Sequence, residues 1–392
     1  MTPQNCDAYP ELHRTTQVPG TECAVWSLLP ADIAEAIRAG HIDGIETALQ
    51  QWADTFTDTC TRLQTMLLAA RVLLHVGHRD AGLARLRQAL ALGREHGQLS
   101  GVMPDHPEML ASLCAEALER GIEPCYVSSL VEHAGLRPPS PSLNHWPYPV
   151  RIYTLGQSAV VVRGQALHFS GKAQRRPMRL LHCLLSRGGR AMPVNLLRRA
   201  MGEDDEFGNG HYSRGAFDMA LSRLRQLMAV PDLVQVGDES VSLNQSLCWV
   251  DSWACEHLLL QVEQQPDPVC GLALMERALG FYEGEFLAGE DAAWVVLARE
   301  RIRSRLTRVA RRLGSALEEQ GRWKEAGALY ERLRESFPVD EDLCFHLIRS
   351  HIKRGEFAQA SGIHARCREL LAKVLGVLPS PALQALFEPA RI

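Results

Sequence analysis

The chain has 392 residues, 46% of them hydrophobic, and a formal net charge of −4, a size and apolar content that predict two to four domains with real cores. No apolar run reaches bilayer length, since even Met66 to Val76 is interrupted by Arg71, and the start carries Asp7, Glu11 and Arg14 without an apolar h-region; the expectation is a cytoplasmic protein with no membrane partner. Eleven cysteines stand singly with no Cys-x-x-Cys pair, which argues against a zinc ribbon or a disulfide framework and for reduced, buried thiols.

Charge is distributed unevenly. Residues 1–150 carry 10 Lys+Arg against 17 Asp+Glu, residues 151–250 carry 13 against 8, and the remainder 19 against 21. Only the middle segment is basic, as a phosphate-binding face requires, although a solvated surface gives the same count.

After a tail over 1–23, residues 24–136 are helical in pattern. Leu63, Leu67, Ala70 and Leu74 keep a 3.6-residue spacing, as do Leu83, Leu86 and Leu90, with Gly77 at the turn between them. An earlier turn at Gly40 precedes Ile42, Ile45 and Leu49, so two helical hairpins are expected. Arg137 to Pro149 holds five prolines, which forbid helix and predict an extended, semi-rigid linker.

At 150 the period changes to two. Val150 to Leu155 and Ala159 to Leu167 are β-rich runs. Helices are expected at about 173–187, 193–201 and 213–228, then a hairpin of Leu233 to Val236, the turn Gly237-Asp-Glu-Ser240, and Val241 to Leu243. On the third helix Phe217, Leu221, Leu224 and Met228 face a core, leaving Asp218, Met219, Ser222, Arg223 and Gln226 outward, with Ser213 and Arg214 at the entry. Such a stripe suits the DNA major groove, where Arg and Gln address base edges and a helix start addresses phosphate; a merely solvated face is the alternative. Lys172, Arg175 and Arg176 near the first helix, and Arg198 and Arg199 on the second, are phosphate-contact candidates or ordinary surface charge. Arg225 either joins the reading face or pairs with a wing carboxylate.

From 251 to 392 the signal is a repeat. Gly321-Arg-Trp323-Lys-Glu-Ala326 returns as Gly355-Glu-Phe357-Ala-Gln-Ala360, the tetratricopeptide period, in which Gly ends a helix, the aromatic wedges between helices and Ala permits close approach. Arg301, Arg305, Arg308 and Arg312 share one helical face beside a stripe of Ile302, Leu306, Val309 and Leu313. They either grip an acidic protein, a phosphate ligand or DNA, or form a solvated face paired to Glu318 or Glu319.

With Gly284-Glu-Phe286, Trp294, Arg299-Glu-Arg301, Pro338 to Asp342 and Leu375 to Pro381, these repeat markers resemble the bacterial transcriptional activator domain of antibiotic-regulatory-protein-type activators. The order sheet, three helices, hairpin over 150–250 resembles the winged helix at the output end of response regulators. Asp218 to Arg225 matches that family's Asp-x-x-x-x-Arg-Leu-Arg pattern, which implies recognition by this helix. Ala81 to Leu130 resembles the helical-repeat end of large maltose-activator-type regulators, without a counterpart of their nucleotide-binding domain.

The expected fold is therefore mainly α: N-terminal helical hairpins over 24–136, a linker at 137–149, a response-regulator-type α+β winged helix at 150–250, and a tetratricopeptide-like helical domain at 251–392. The resemblance implies a bacterial, nucleoid-associated activator whose partners are double-stranded DNA, RNA polymerase and a second copy as homodimer, with an unidentified effector at the N-terminal helices. Glu203, Asp204, Asp205 and Glu206, in the acidic loop before the third helix, are either a polymerase-facing surface or a solvated loop. The acidic wing turn puts minor-groove contact in doubt. Residues 1–136, opposite in charge to the winged helix, either restrain it or stand apart from it.

An enzyme is the weaker reading. Lys172 follows Gly171, but no Walker-type phosphate loop surrounds it, His-Glu-x-x-His and Gly-x-Ser-x-Gly are absent, and the histidines lack metal-ligand spacing. Neither cofactor nor metal is expected. The non-enzymatic alternative is a helical-repeat adaptor that uses its winged helix to bind protein.

Overall fold

A computed structural model describes residues 28–39, 44–168, 172–202 and 213–387, without the side chains of 172 and 173. The chain divides into two compact units, one over His13–Tyr148 and one carrying Pro149–Ile392.

In the first unit the helices are α1 (Ala31–Arg38), α2 (Ile45–Asp54), α3 (Thr59–His75), α4 (Arg79–Glu95), α5 (Pro107–Glu119) and α6 (Pro124–His133). They associate as three sequential pairs, one more than the two hairpins that periodicity shows. The third pair is hidden because α5 buries Met109, Leu110, Ala111, Leu113, Cys114 and Ala117 around its circumference, so no single stripe marks it. Asp58 caps α3 by accepting the Thr61 amide at 2.8 Å, and Gly77, at φ 90°, makes the turn into α4. Tyr126 of α6 lies on Gly93 of α4, where a Cβ would fall 2.2 Å from its hydroxyl oxygen; that hydroxyl donates to the Gln98 carbonyl at 2.6 Å. The proline-rich segment is irregular, as its prolines require, yet Leu143, Trp146 and Tyr148 within it are buried rather than strung out in solvent.

The second unit opens with β1 (Val150–Tyr153), β2 (Ala159–Val162) and β3 (Gln165–Ala166). Then come α7 (Lys172–Ser186), β4 (Met192–Pro193), α8 (Val194–Gly202) and α9 (Arg214–Met228), followed by β5 (Val234–Val236), β6 (Ser240–Leu243) and β7 (Cys248–Val250). One sheet has the order β3-β2-β1-β7, the other β4-β6-β5. In the first, Ile152 sits opposite Val160 in the antiparallel pair and opposite Val250 in the parallel one. Strands β4 and β7 are not legible in the sequence: the first is two residues long, and the second is buried at all three positions and so lacks alternation. Pro177 falls inside α7.

After β7 the chain enters α10 (Asp251–Gln264), α11 (Pro268–Phe281), α12 (Ala293–Glu319), α13 (Trp323–Ser336), α14 (Glu341–Lys353) and α15 (Phe357–Leu370), with a short α16 (Pro381–Ala385) beyond a π turn. Gly321 and Gly355 terminate α12 and α14 in the left-handed region, at φ 74° and 78°, and Ala326 and Ala360 are fully buried. The aromatic of the repeat is placed differently from the expectation. Trp323 is only half-buried and Phe357 is 63% exposed, whereas Tyr330 is fully buried on Gly314, where a Cβ would lie 2.2 Å from its hydroxyl oxygen. Trp323 and Phe357, the first residues of their helices, stand at the rim, and Tyr330, two turns on from Trp323, reaches the interior.

Winged helix and helical array share one core, running from Val150 through Leu184, Phe217 and Leu258 to Leu347. At their seam the buried Asp251 carboxylate accepts the Thr154 amide at 2.7 Å, the Thr154 hydroxyl at 2.6 Å, the Leu155 amide at 2.8 Å and the Ser252 amide at 2.7 Å. The loop after α11 continues the seam: the Leu287 amide donates to Thr154 at 2.6 Å and the Gly156 amide to Glu285 at 3.0 Å. There Gly284 has no room for a side chain, since its Cβ would lie 3.0 Å from the Gly156 Cα.

Candidate nucleic-acid interface

Helix α9 is built to show one face. Phe217, Ala220, Leu221, Leu224 and Met228 are buried, while Arg214, Asp218, Met219, Ser222, Arg223 and Gln226 are exposed, Met219 to 55%. The structure thus brings the sequence-expected reading residues onto one solvent-facing stripe. Ser213 has a structural task, its hydroxyl capping the helix by accepting the Ala216 amide at 3.2 Å. Arg225 departs from both expectations: its guanidinium donates to the Val234 carbonyl at 3.0 and 3.3 Å, so it ties α9 to the first wing strand through backbone, not through a wing carboxylate. Ala229 then ends the helix in the left-handed region at φ 47°.

The wing closes with the Gly237 amide donating to Ser240 at 2.9 Å and leaves Asp238 and Glu239 exposed. Two anionic side chains at the tip oppose approach to a phosphate backbone. Arg175 and Arg176 are exposed near the start of α7, whereas Arg198 is half-buried and Arg199 lines a cleft against Trp294 and Leu297 of α12. The Lys172 side chain and Glu203, Asp204, Asp205 and Glu206 lie outside the described residues. Between Arg151 and Ala200 the sequence has ten arginines and lysines and no acidic residue, and Arg175, Arg176 and Arg199 of that stretch are exposed.

The arginine stripe of α12 is largely consumed inside the molecule, with different partners from those expected. Arg305 and Arg308 share Glu263 at 2.9 and 2.8 Å, and Arg301 pairs with Glu256 at 3.3 Å while donating to the Ser186 carbonyl of α7 at 3.1 Å. Burial alone would raise the Glu263 carboxyl, but hydrogen bonds and charge from the two arginines outweigh it and hold it below its usual range. Glu318 is committed elsewhere, to Arg349 and to the Tyr330 hydroxyl at 3.2 Å. Arg312 is exposed and has no ion pair among the described residues.

Sequence reasoning missed Asp251 and named Arg299 only among the markers of the resemblance, without its task. The latter donates to the carbonyls of Phe286 at 2.8 Å, Leu287 at 2.5 Å and Glu290 at 2.8 Å, and so fixes the loop that meets the winged helix. Neither shows in a pattern, because a single buried polar residue has no periodicity to betray it. Among the described residues no cluster of His, Cys, Asp and Glu could hold a metal ion, and no helix is long and apolar enough to cross a membrane.

Residues 250–391 match the family model of the bacterial transcriptional activator domain. The chain is 30% identical over 230 residues to the regulatory protein AfsR of Streptomyces griseus, covering 57% of this chain and 23% of that protein. It is 36% identical over 114 residues to AfsR of Streptomyces coelicolor, covering 29% of this chain and 11% of the relative. The chain therefore spans less than a quarter of the length of either. Among solved structures, Mycobacterium tuberculosis EmbR in complex with a low-affinity phosphopeptide aligns at a TM-score of 0.44 and 20% identity, over 61% of this chain and 64% of that one. That likeness is too remote to inform this chain.

Proposed function

We propose that this chain, which carries a bacterial transcriptional activator domain, is a sequence-specific DNA-binding regulator of the AfsR type that activates transcription. The observation that carries the reading is the exposed stripe of α9, set on a buried apolar face beside a wing and next to an acid-free cationic stretch. In this reading α9 enters the major groove. Arg223 and Gln226 address base edges, Met219 meets thymine methyl groups, and Arg214 and Ser222 flank them. Arg175 and Arg176, with Lys172, take backbone phosphates, and so do Arg198 and Arg199 where the duplex extends to α8. The helical array serves contact with RNA polymerase and a second copy, the N-terminal helix pairs receive an effector, and the protein works in the cytoplasm on the nucleoid.

The test is titration of the full chain against a promoter fragment from its own genomic neighbourhood over a series of salt concentrations. DNA recognition predicts saturable binding whose logarithm falls linearly with the logarithm of salt, together with protection of a defined repeat. Binding that is absent, or indifferent to salt, overturns the reading in favour of a protein-binding adaptor.

A further inference from the structure

A cleft of about 190 Å³ opens where α7 and α8 of the winged helix meet the start of α12. Met192, Leu196, Trp294 and Leu297 supply its apolar walls, and Arg187 and Arg199 its charge. No Asp or Glu lines it, and neither arginine pairs with a carboxylate among the described residues. The first turn of α12 has no acidic residue and no side-chain cap, and Glu290 and Asp291 stand just before it. The Trp294 indole N–H is buried without an acceptor among the described residues.

Size and surroundings decide what fits. Pockets that enclose a drug-sized molecule run from about 300 Å³ upward, and this one is smaller, suited to a single bulky side chain. Around its mouth Leu196, Val296 and Leu297 remain 46%, 51% and 70% exposed. A small ligand would leave that rim wet, whereas a polypeptide seated across it covers the rim and anchors one residue in the cleft. We infer that this cleft is a docking site for an acidic peptide segment of a partner protein, with one bulky apolar side chain buried between Trp294 and Leu297 and flanking carboxylates on Arg187 and Arg199. The site lies apart from the exposed stripe of α9, shares only Arg199 with the proposed phosphate contacts, and stands whether or not α9 reads DNA.

The experiment follows the anisotropy of a fluorescein-labelled synthetic peptide, one Phe between two pairs of Asp, titrated with the full chain. Saturable binding is expected, weakened about tenfold or more when the peptide Phe becomes Ala or when Leu297→Asp or Arg187→Glu is introduced into the protein. Leu297 is largely exposed, so this variant keeps the parent melting temperature, and its DNA titration is unchanged. Equal affinity of parent and Leu297→Asp, or no saturable binding by the parent, overturns the proposal. So does phenylbutyrate binding as tightly as the peptide, because the cleft is then a small-molecule site.

Discussion

Asp251 does more for this molecule than its single charge suggests. Its two oxygens satisfy two buried backbone amides of the winged helix, a hydroxyl, and the amide that follows it. Removing an acceptor leaves each buried donor with its own desolvation cost, so Asp251→Ala should destabilise the second unit by about 3–5 kcal/mol. Chemical denaturation checks this, and a change under 1 kcal/mol would show that the clasp is dispensable. Arg223 is the matching case for function: on the exposed face of α9, Arg223→Ala should weaken specific DNA binding by about 1–3 kcal/mol and relax preference at one base position. Equal affinity of mutant and parent in a titration would remove it from the reading face. Glu318 links residue to pH. Burial pushes its carboxyl up, but His346, 3.8 Å away, and the charge of Arg349 outweigh that and hold it below the ordinary value. A carboxyl that binds its proton more weakly in the fold stabilises the fold at neutral pH, and the contribution is lost as pH falls through and below about 4.3. Glu318→Gln should therefore lower the melting temperature at pH 7 and flatten its decline toward pH 4; parallel curves for mutant and parent would contradict this.

At the scale of elements, the helical repeat separates two aromatics that sequence alone treats as alike. Tyr330 is fully buried on the bare backbone of Gly314, while Trp323 is half-buried. Truncating Tyr330 to Ala should cost about 3–5 kcal/mol, and Trp323→Ala distinctly less; the reverse order of melting temperatures would refute the assignment. The three winged-helix helices were legible because Phe217, Leu221, Leu224 and Met228 repeat at helical spacing and Ser213 marks a start. What stayed hidden is non-local. The closing strand Cys248–Val250 pairs with Val150–Ile152 from almost a hundred residues earlier, and three apolar residues buried on both faces carry no period. The α12 arginines showed the converse limit: their common face was plain, but Glu263, which takes two of them, lies on another helix, and sequence distance says nothing of such a meeting.

For the whole molecule, the shared core of winged helix and helical array makes a prediction about cooperativity. A fragment of residues 149–392 should unfold in one transition, with calorimetric and van't Hoff enthalpies in agreement. A fragment ending at 250 exposes Val250 and Leu155, which bridges Phe286 across the seam, and should melt earlier and less sharply. Two separate transitions in the longer fragment would show that the core divides at 250. The part of the candidate interface visible in the sequence was the face of α9. The frame that holds it was not, since a carboxylate, two glycines and a loop define it through tertiary contact alone.

The bare approach of Gly284 to Gly156 also bears on inheritance. Each position favours glycine for its own reason: a Cβ on Gly284, in a loop of the helical array, would fall 3.0 Å from the Gly156 Cα, and Gly156, in the turn between β1 and β2, holds φ 94°. Recombination that joins the winged helix of one such chain to the helical array of another therefore succeeds only when the two halves fit here as well as at Thr154 and Asp251. The two parts can travel between genes as a pair, but they are poor currency separately.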